Sequence, residues 1–99
     1  MADRRRYELM LILDPRLEES AIQTTVDRYL GFVKDQGGEV AKVDHWGRKR
    51  FAFEINHLDE GYYVLADLDT DPATVAELDR QMRLADELVR HKFVRPGKD

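Results

Sequence analysis

The sequence predicts an α+β sandwich, a four-stranded antiparallel sheet with two helices on one face. Two observations carry this. Hydrophobic periodicity runs strand, helix, strand, and then repeats that order once. An Asp-Pro pair, Asp14-Pro15 and again Asp71-Pro72, stands where the first strand of each half gives way to its helix. Two such split units close most simply into the βαββαβ ferredoxin-like sandwich, with strand order last, first, third, second.

Each element has its own signal. Residues 6–13, RYELMLIL, alternate with Tyr7, Leu9, Leu11 and Leu13 on one face and Arg6, Glu8, Met10 and Ile12 on the other. Asp14-Pro15 ends that strand, since proline lacks the ladder donor but suits a helix's first turn and Asp can cap free amides. A helix follows to about Gln36, with Ile22, Val26, Tyr29, Leu30 and Val33 as its apolar stripe. Glu18 and Glu19 lie near its positive end, and Gly37-Gly38 stops it. Residues 40–55 form a long strand bent near Trp46-Gly47, and 56–61 a polar turn. The third strand, 61–69, turns Tyr62, Val64, Ala66 and Leu68 inward. Behind Asp71-Pro72 a second helix carries Val75, Leu78 and Met82, and 88–95 is the last strand.

Composition narrows the function. Ninety-nine residues make a single domain, 1–99, with 96–99 a short basic tail. The hydrophobic fraction is 42% and the charged fraction 36%, as in a soluble globular protein. No apolar run approaches the roughly 20 residues that cross a bilayer, and the N-terminus has no signal-peptide pattern. Without cysteine there are no disulfides, thiolate metal sites or cysteine nucleophiles, which fits a cytoplasmic location. His45, His57 and His91 fall in three different elements without metal spacing, so neither a metal site nor a catalytic constellation is expected.

Net charge is −4, but ten of the sixteen cations fall in three groups: Arg4 to Arg6, Arg48 to Arg50, and Arg90, Lys92, Arg95 and Lys98. The acids are expected mainly in helices and loops. Phosphate binding needs local positive potential, not a positive total. Since both helices cover one sheet face, the other is left open. It would carry Arg6, Glu8, Met10 and Ile12, Tyr63 and Leu65, and Arg90 and Lys92. Exposed apolar groups beside guanidinium groups suit a macromolecular partner.

The stretch DHWGRKRFAFEIN, 44–56, places three consecutive cations directly before an alternating strand, with Phe51, Phe53 and Ile55 on one face. Within it, GRKRFAFEIN resembles the diagnostic Gly-x-basic-polar-Leu-Ala-Tyr-x-Ile segment of the bacterial small-subunit ribosomal protein six family. Gly47, Lys49, Arg50, Ala52 and Ile55 fit that pattern. Phe51 and Phe53 replace leucine and tyrosine, keeping inward apolar groups. Arg5-Arg6-Tyr7-Glu8, the first Asp-Pro, Trp46-Gly47-Arg48, Gly61-Tyr62 and Val89-Arg90…Val94-Arg95 extend the resemblance along nearly the whole chain.

The resemblance implies a structural, non-enzymatic constituent of the small ribosomal subunit that needs no cofactor. It would bind the central domain of the small-subunit rRNA together with ribosomal protein eighteen. Arg4, Arg5, Arg6, Arg48, Arg50, Arg90, Lys92 and Arg95 become candidate RNA contacts, and Met10, Ile12, Tyr63 and Leu65 candidate partner contacts. Trp46 is expected to pack under the strand bend. The string Gly61-Tyr62-Tyr63-Val64 follows Glu60, where the RNA recognition motif needs a basic residue, and further exposed aromatics are lacking, so single-strand base stacking is not expected as the main mode. The alternative is a ferredoxin-like regulatory domain that binds a small molecule.

Overall fold

The computed structural model describes residues 4–55 and 58–95. In chain order they form β1 (Arg5–Leu13), α1 (Glu19–Asp35), β2 (Glu39–Ile55), β3 (Leu58–Thr70), α2 (Pro72–Arg83) and β4 (Leu88–Val94). The strands make one sheet in the order β2-β3-β1-β4, with every pairing antiparallel. This is the ferredoxin-like sandwich that the repeated pattern predicts, strand order included.

The core lies between the sheet and the helices. Tyr7, Leu9, Leu11 and Leu13 of β1 and Val64, Ala66 and Leu68 of β3 meet Ile22, Val26, Tyr29, Leu30 and Val33 of α1 and Leu78 and Met82 of α2. Leu9, Leu11, Leu13, Val26, Val33, Leu68 and Leu78 are fully enclosed. Each such side chain contributes about 1.5–3 kcal/mol when taken from water. The period-two faces of β1 and β3 and the helical stripes are thus the same surface seen from two sides.

The two Asp-Pro junctions are not equivalent, which corrects the expectation that Asp14 caps a helix. Asp14 turns its carboxylate to Arg16, accepting from the Arg16 backbone N–H at 2.9 Å and from its guanidinium at 2.7 Å. The side-chain bond to Arg16 holds that carboxyl below its ordinary range. α1 therefore starts only after Glu18. Asp71 does sit at the N-cap of α2, with Pro72 in the first turn and its carboxylate accepting from the Thr74 hydroxyl.

Past α1, Gly37 takes φ +87° and Gly38 donates to the Val33 carbonyl at 2.9 Å. A side chain at Gly38 would strike Thr70 and Val33, so the chain enters β2 through a gap that only glycine leaves.

β2 and β3 form a hairpin longer than the rest of the sheet. β1 pairs with β3 only from Thr70 to Tyr62, whereas β2 follows β3 out to Leu58. Residues 58–60 are strand, not the polar turn expected over 56–61, so the hairpin reaches past the end of β1. The bend at Trp46-Gly47 is a β-bulge: register slips between His45 and Gly47, and Gly47 adopts φ +85°. The basic tail, 96–99, and Asn56 and His57 of the expected polar turn lie outside the described residues.

Candidate nucleic-acid and partner interface

Register fixes which side chains share the open face. Reading from β2 across to β4, one row is Lys42, Asp67, Glu8 and Val94. The next is Asp44, Leu65, Met10 and Lys92, and the third is Gly47, Tyr63, Ile12 and Arg90. Beyond Glu8, Arg6 lies opposite Asp69, which pairs in turn with Glu39. Lys49 lies opposite Gly61, on the same side as Tyr63.

The face therefore has an electrostatic direction. Glu8 of β1, Asp67 and Asp69 of β3 and Asp44 and Glu39 of β2 are gathered towards one end of the strands, so the sheet carries more acid than the expectation of acids mainly in helices and loops allowed. Arg90 and Lys92 stand exposed on the β4 edge, with Arg95 just past it. Among the described residues, Arg6, Lys49, Arg90, Lys92 and Arg95 make no ion pair.

The other cations are engaged. Arg4 donates to the Asp69 carbonyl at 3.2 Å and sits 3.4 Å from the Asp69 carboxylate and 3.7 Å from Glu39. Arg50, on the opposite side of β2 from Lys49, is largely exposed and 3.6 Å from Asp59. Arg48 crosses to the Pro15 carbonyl and lays its guanidinium 5.8 Å from the centre of the Tyr62 ring. Tyr62 also holds His45 at 3.2 Å. Arg5 is partly buried opposite Thr70. The expected RNA set thus divides into anchored arginines and outward, unpaired cations. Sequence alternation foresaw the opposite sides of Lys49 and its neighbours but not the Pro15 anchor, which depends on how β2 curves towards the β1–α1 loop.

The apolar candidates divide as well. Met10, Tyr63 and Leu65 are half-buried on the open face. Ile12 is 3% exposed, which corrects the expectation that it lies bare there. Phe51 covers it. Rather than turning towards the helices, Phe51 folds onto the open side, 6.3 Å from the Tyr63 ring. Gly61 makes room for this, since a Cβ there would strike Ile12 and come within 2.8 Å of Phe51. Ile12, Phe51 and Tyr63 form a small cluster on the far side of the sheet from the main core. The side chains of Phe53 and Ile55 lie outside the described residues.

Two groups were misjudged or missed. Trp46 is 52% exposed on its bulge instead of packed beneath it. Its neighbour in space is the Lys49 ammonium, 5.7 Å from the ring centre. A groove of about 480 Å³ also runs between α1 and the β2 edge, lined by Val26, Leu30, Val40 and Val43 with Asp27 and Lys34 at its rim. His91 faces the helices, where its Nε2 is 2.6 Å from Asp79, itself held by Arg83. Its role is to tie α2 to β4. Among the described residues there is no cluster of metal-ligating side chains.

Comparison with known proteins gives the family. The family model described as ribosomal protein S6 matches residues 6–95. The small ribosomal subunit protein bS6 of Acidothermus cellulolyticus is 48% identical over 92 residues, covering 93% of this chain and 96% of its own length. The bS6 protein of Streptomyces coelicolor is 49% identical over the same span and coverage. Among solved structures, 30S ribosomal protein S6 from Thermotoga maritima superposes with a TM-score of 0.87 at 29% identity, covering 94% of this chain and 88% of that one. An uncharacterised Thermotoga maritima protein, with a TM-score of 0.61 at 17% identity, shares the fold alone. With the match running through every strand and both helices, the chain belongs to the ribosomal protein S6 family.

Proposed function

We propose that this chain binds the central domain of the small-subunit rRNA jointly with ribosomal protein eighteen. It is a protein of the small ribosomal subunit, in the cytoplasm, and not an enzyme. The observation that carries the finer reading is the open sheet face. There, half-buried Met10, Leu65 and Tyr63 lie beside the unpaired cations of the β4 edge.

The apolar strip is the place for the protein partner, because covering it removes thioether, isobutyl and aryl surface from water. The cations are the place for RNA. Each guanidinium or ammonium that neutralises a phosphate releases condensed counterions, and folded RNA is held through its backbone and shape. Partner docking would add a second protein's surface next to Arg90 and Lys92, so two small proteins present one composite basic platform. The acids at the other end of the face disfavour RNA there and set its direction.

Titration of a central-domain rRNA fragment, with and without protein eighteen, tests this. The expected result is tight, salt-sensitive binding only when both proteins are present. Tight binding without the partner discards the composite platform, and no binding in either mixture discards the rRNA reading.

A further inference from the structure

We infer that Trp46 is a stacking platform for one unpaired RNA base, with Lys49 beside it neutralising an adjacent phosphate. This rests on the RNA-binding reading above and names a ligand element within it. Trp46 is the sole tryptophan of the chain, and 52% of its surface is open to solvent. A large aromatic on a soluble surface costs contact with water unless something covers it.

Its setting is unusual for an exposed ring. The β-bulge between His45 and Gly47 puts Trp46 out of the ladder, and the positive φ of Gly47 fixes the turn that aims it. The next residue, Arg48, is anchored to the Pro15 carbonyl, so the bulge is held at its base and not left to swing. Preorganisation of this kind lowers the ordering cost of a bound group.

The chemistry around the ring selects the occupant. A tryptophan that anchors a protein partner is normally ringed by apolar contacts that keep water out. Here the flanking residues His45 and Gly47 bring no apolar side chain, and of the three cations that follow it is Lys49 that stands over the ring. The Lys49 ammonium stands 5.7 Å from the ring centre, opposite Gly61, where no carboxylate competes across the ladder. An aromatic face with a cation beside it is how proteins hold single-stranded nucleic acid, the ring taking the base and the cation a phosphate. This concerns one base at the hairpin, distinct from stacking across the sheet.

Because Trp46 is the sole tryptophan, its emission reads the contact directly. Wild type, Trp46→Phe and Trp46→Leu are titrated with the central-domain rRNA fragment in the presence of protein eighteen, after melting curves confirm that each is folded. Wild-type emission should be quenched saturably on adding RNA and left unchanged by protein eighteen alone. Trp46→Leu should bind about ten-fold more weakly, within the range for losing one stacked base, and Trp46→Phe should recover most of that loss. If the fragment binds normally but emission is unmoved, or if Trp46→Leu binds like wild type, the stacking contact is wrong while the RNA-binding reading stands. Quenching by protein eighteen alone would make Trp46 a protein contact. Failure of the wild type to bind the fragment at all would overturn both readings.

Discussion

Arg48 reaches the Pro15 carbonyl oxygen with its Nη2 at 3.0 Å and its Nε at 3.3 Å, joining the β2–β3 hairpin to the loop that leads into α1. The same guanidinium lies over Tyr62. The cation cluster therefore has an internal division of labour. One arginine steadies the hairpin, while its neighbours point outward. Arg48→Ala should lower unfolding free energy by about 1 kcal/mol, the value of a partly solvated charge-assisted bond. It should change the salt dependence of rRNA binding less than Arg50→Ala does. Urea unfolding and paired salt titrations measure the two effects separately.

Gly61 is the least replaceable residue of the open face. Any side chain there must displace Ile12 and Phe51, which close over it. Gly61→Ala should cost about 1–3 kcal/mol, the usual range for overpacking. The urea midpoint should fall with the slope m unchanged. A neutral substitution would mean that Phe51 can swing away freely, and that the small cluster adds no stability.

Leu65 tests the partner strip. It is half-buried between Asp44 and Met10, and a carboxylate there would place a further acid on a surface meant to be desolvated. Leu65→Glu should weaken association with protein eighteen by about ten-fold or more, as expected of an anchor near an interface centre, while thermal unfolding of the free chain shifts little. Calorimetric titration with the purified partner gives the affinity, and an unchanged value would move docking off this face.

Much of this was legible beforehand. The two alternating faces of β1, the stripes of α1 and α2 and the strand order all follow from periodicity, since burial of a face leaves a repeat in the sequence. The repeated Asp-Pro correctly marked two strand ends. It misled about Asp14, because the choice between capping a helix and bonding Arg16 depends on the side chain two residues on. Exposure of Trp46 and burial of Ile12 were not legible either. Both depend on the bulge, on the reach of the hairpin past β1 and on the missing side chain at Gly61, which together decide what covers what. Alternation assigns a side to Phe51 only once the register through that bulge is known.

Acid stability offers a check on α2. Glu77 accepts from the Arg80 guanidinium at 2.7 Å and from Gln81 at 3.0 Å, and those bonds hold its carboxyl down at about 2. A carboxyl lowered on folding adds stability that is complete above its unfolded value, 4.5, and is lost as pH falls towards 2. Wild type should therefore exceed Glu77→Gln in stability by a constant amount above about pH 5, and that margin should shrink as pH falls and vanish only once pH has passed below about 2. The pair is solvent-exposed, so added salt should narrow the margin at every pH. Denaturant melts of both chains across this range provide the comparison.

The most direct test of the proposed RNA surface is the salt dependence of rRNA-fragment binding, with protein eighteen present, for wild type and for Arg90→Ala/Lys92→Ala. Both cations stand unpaired on the β4 edge, opposite Ile12 and Met10. If each neutralises a phosphate, the slope of log affinity against log salt should fall in magnitude by about two units, with weaker binding at low salt. An unchanged slope with unchanged affinity would show that the β4 edge does not meet RNA, and would contradict the composite basic platform.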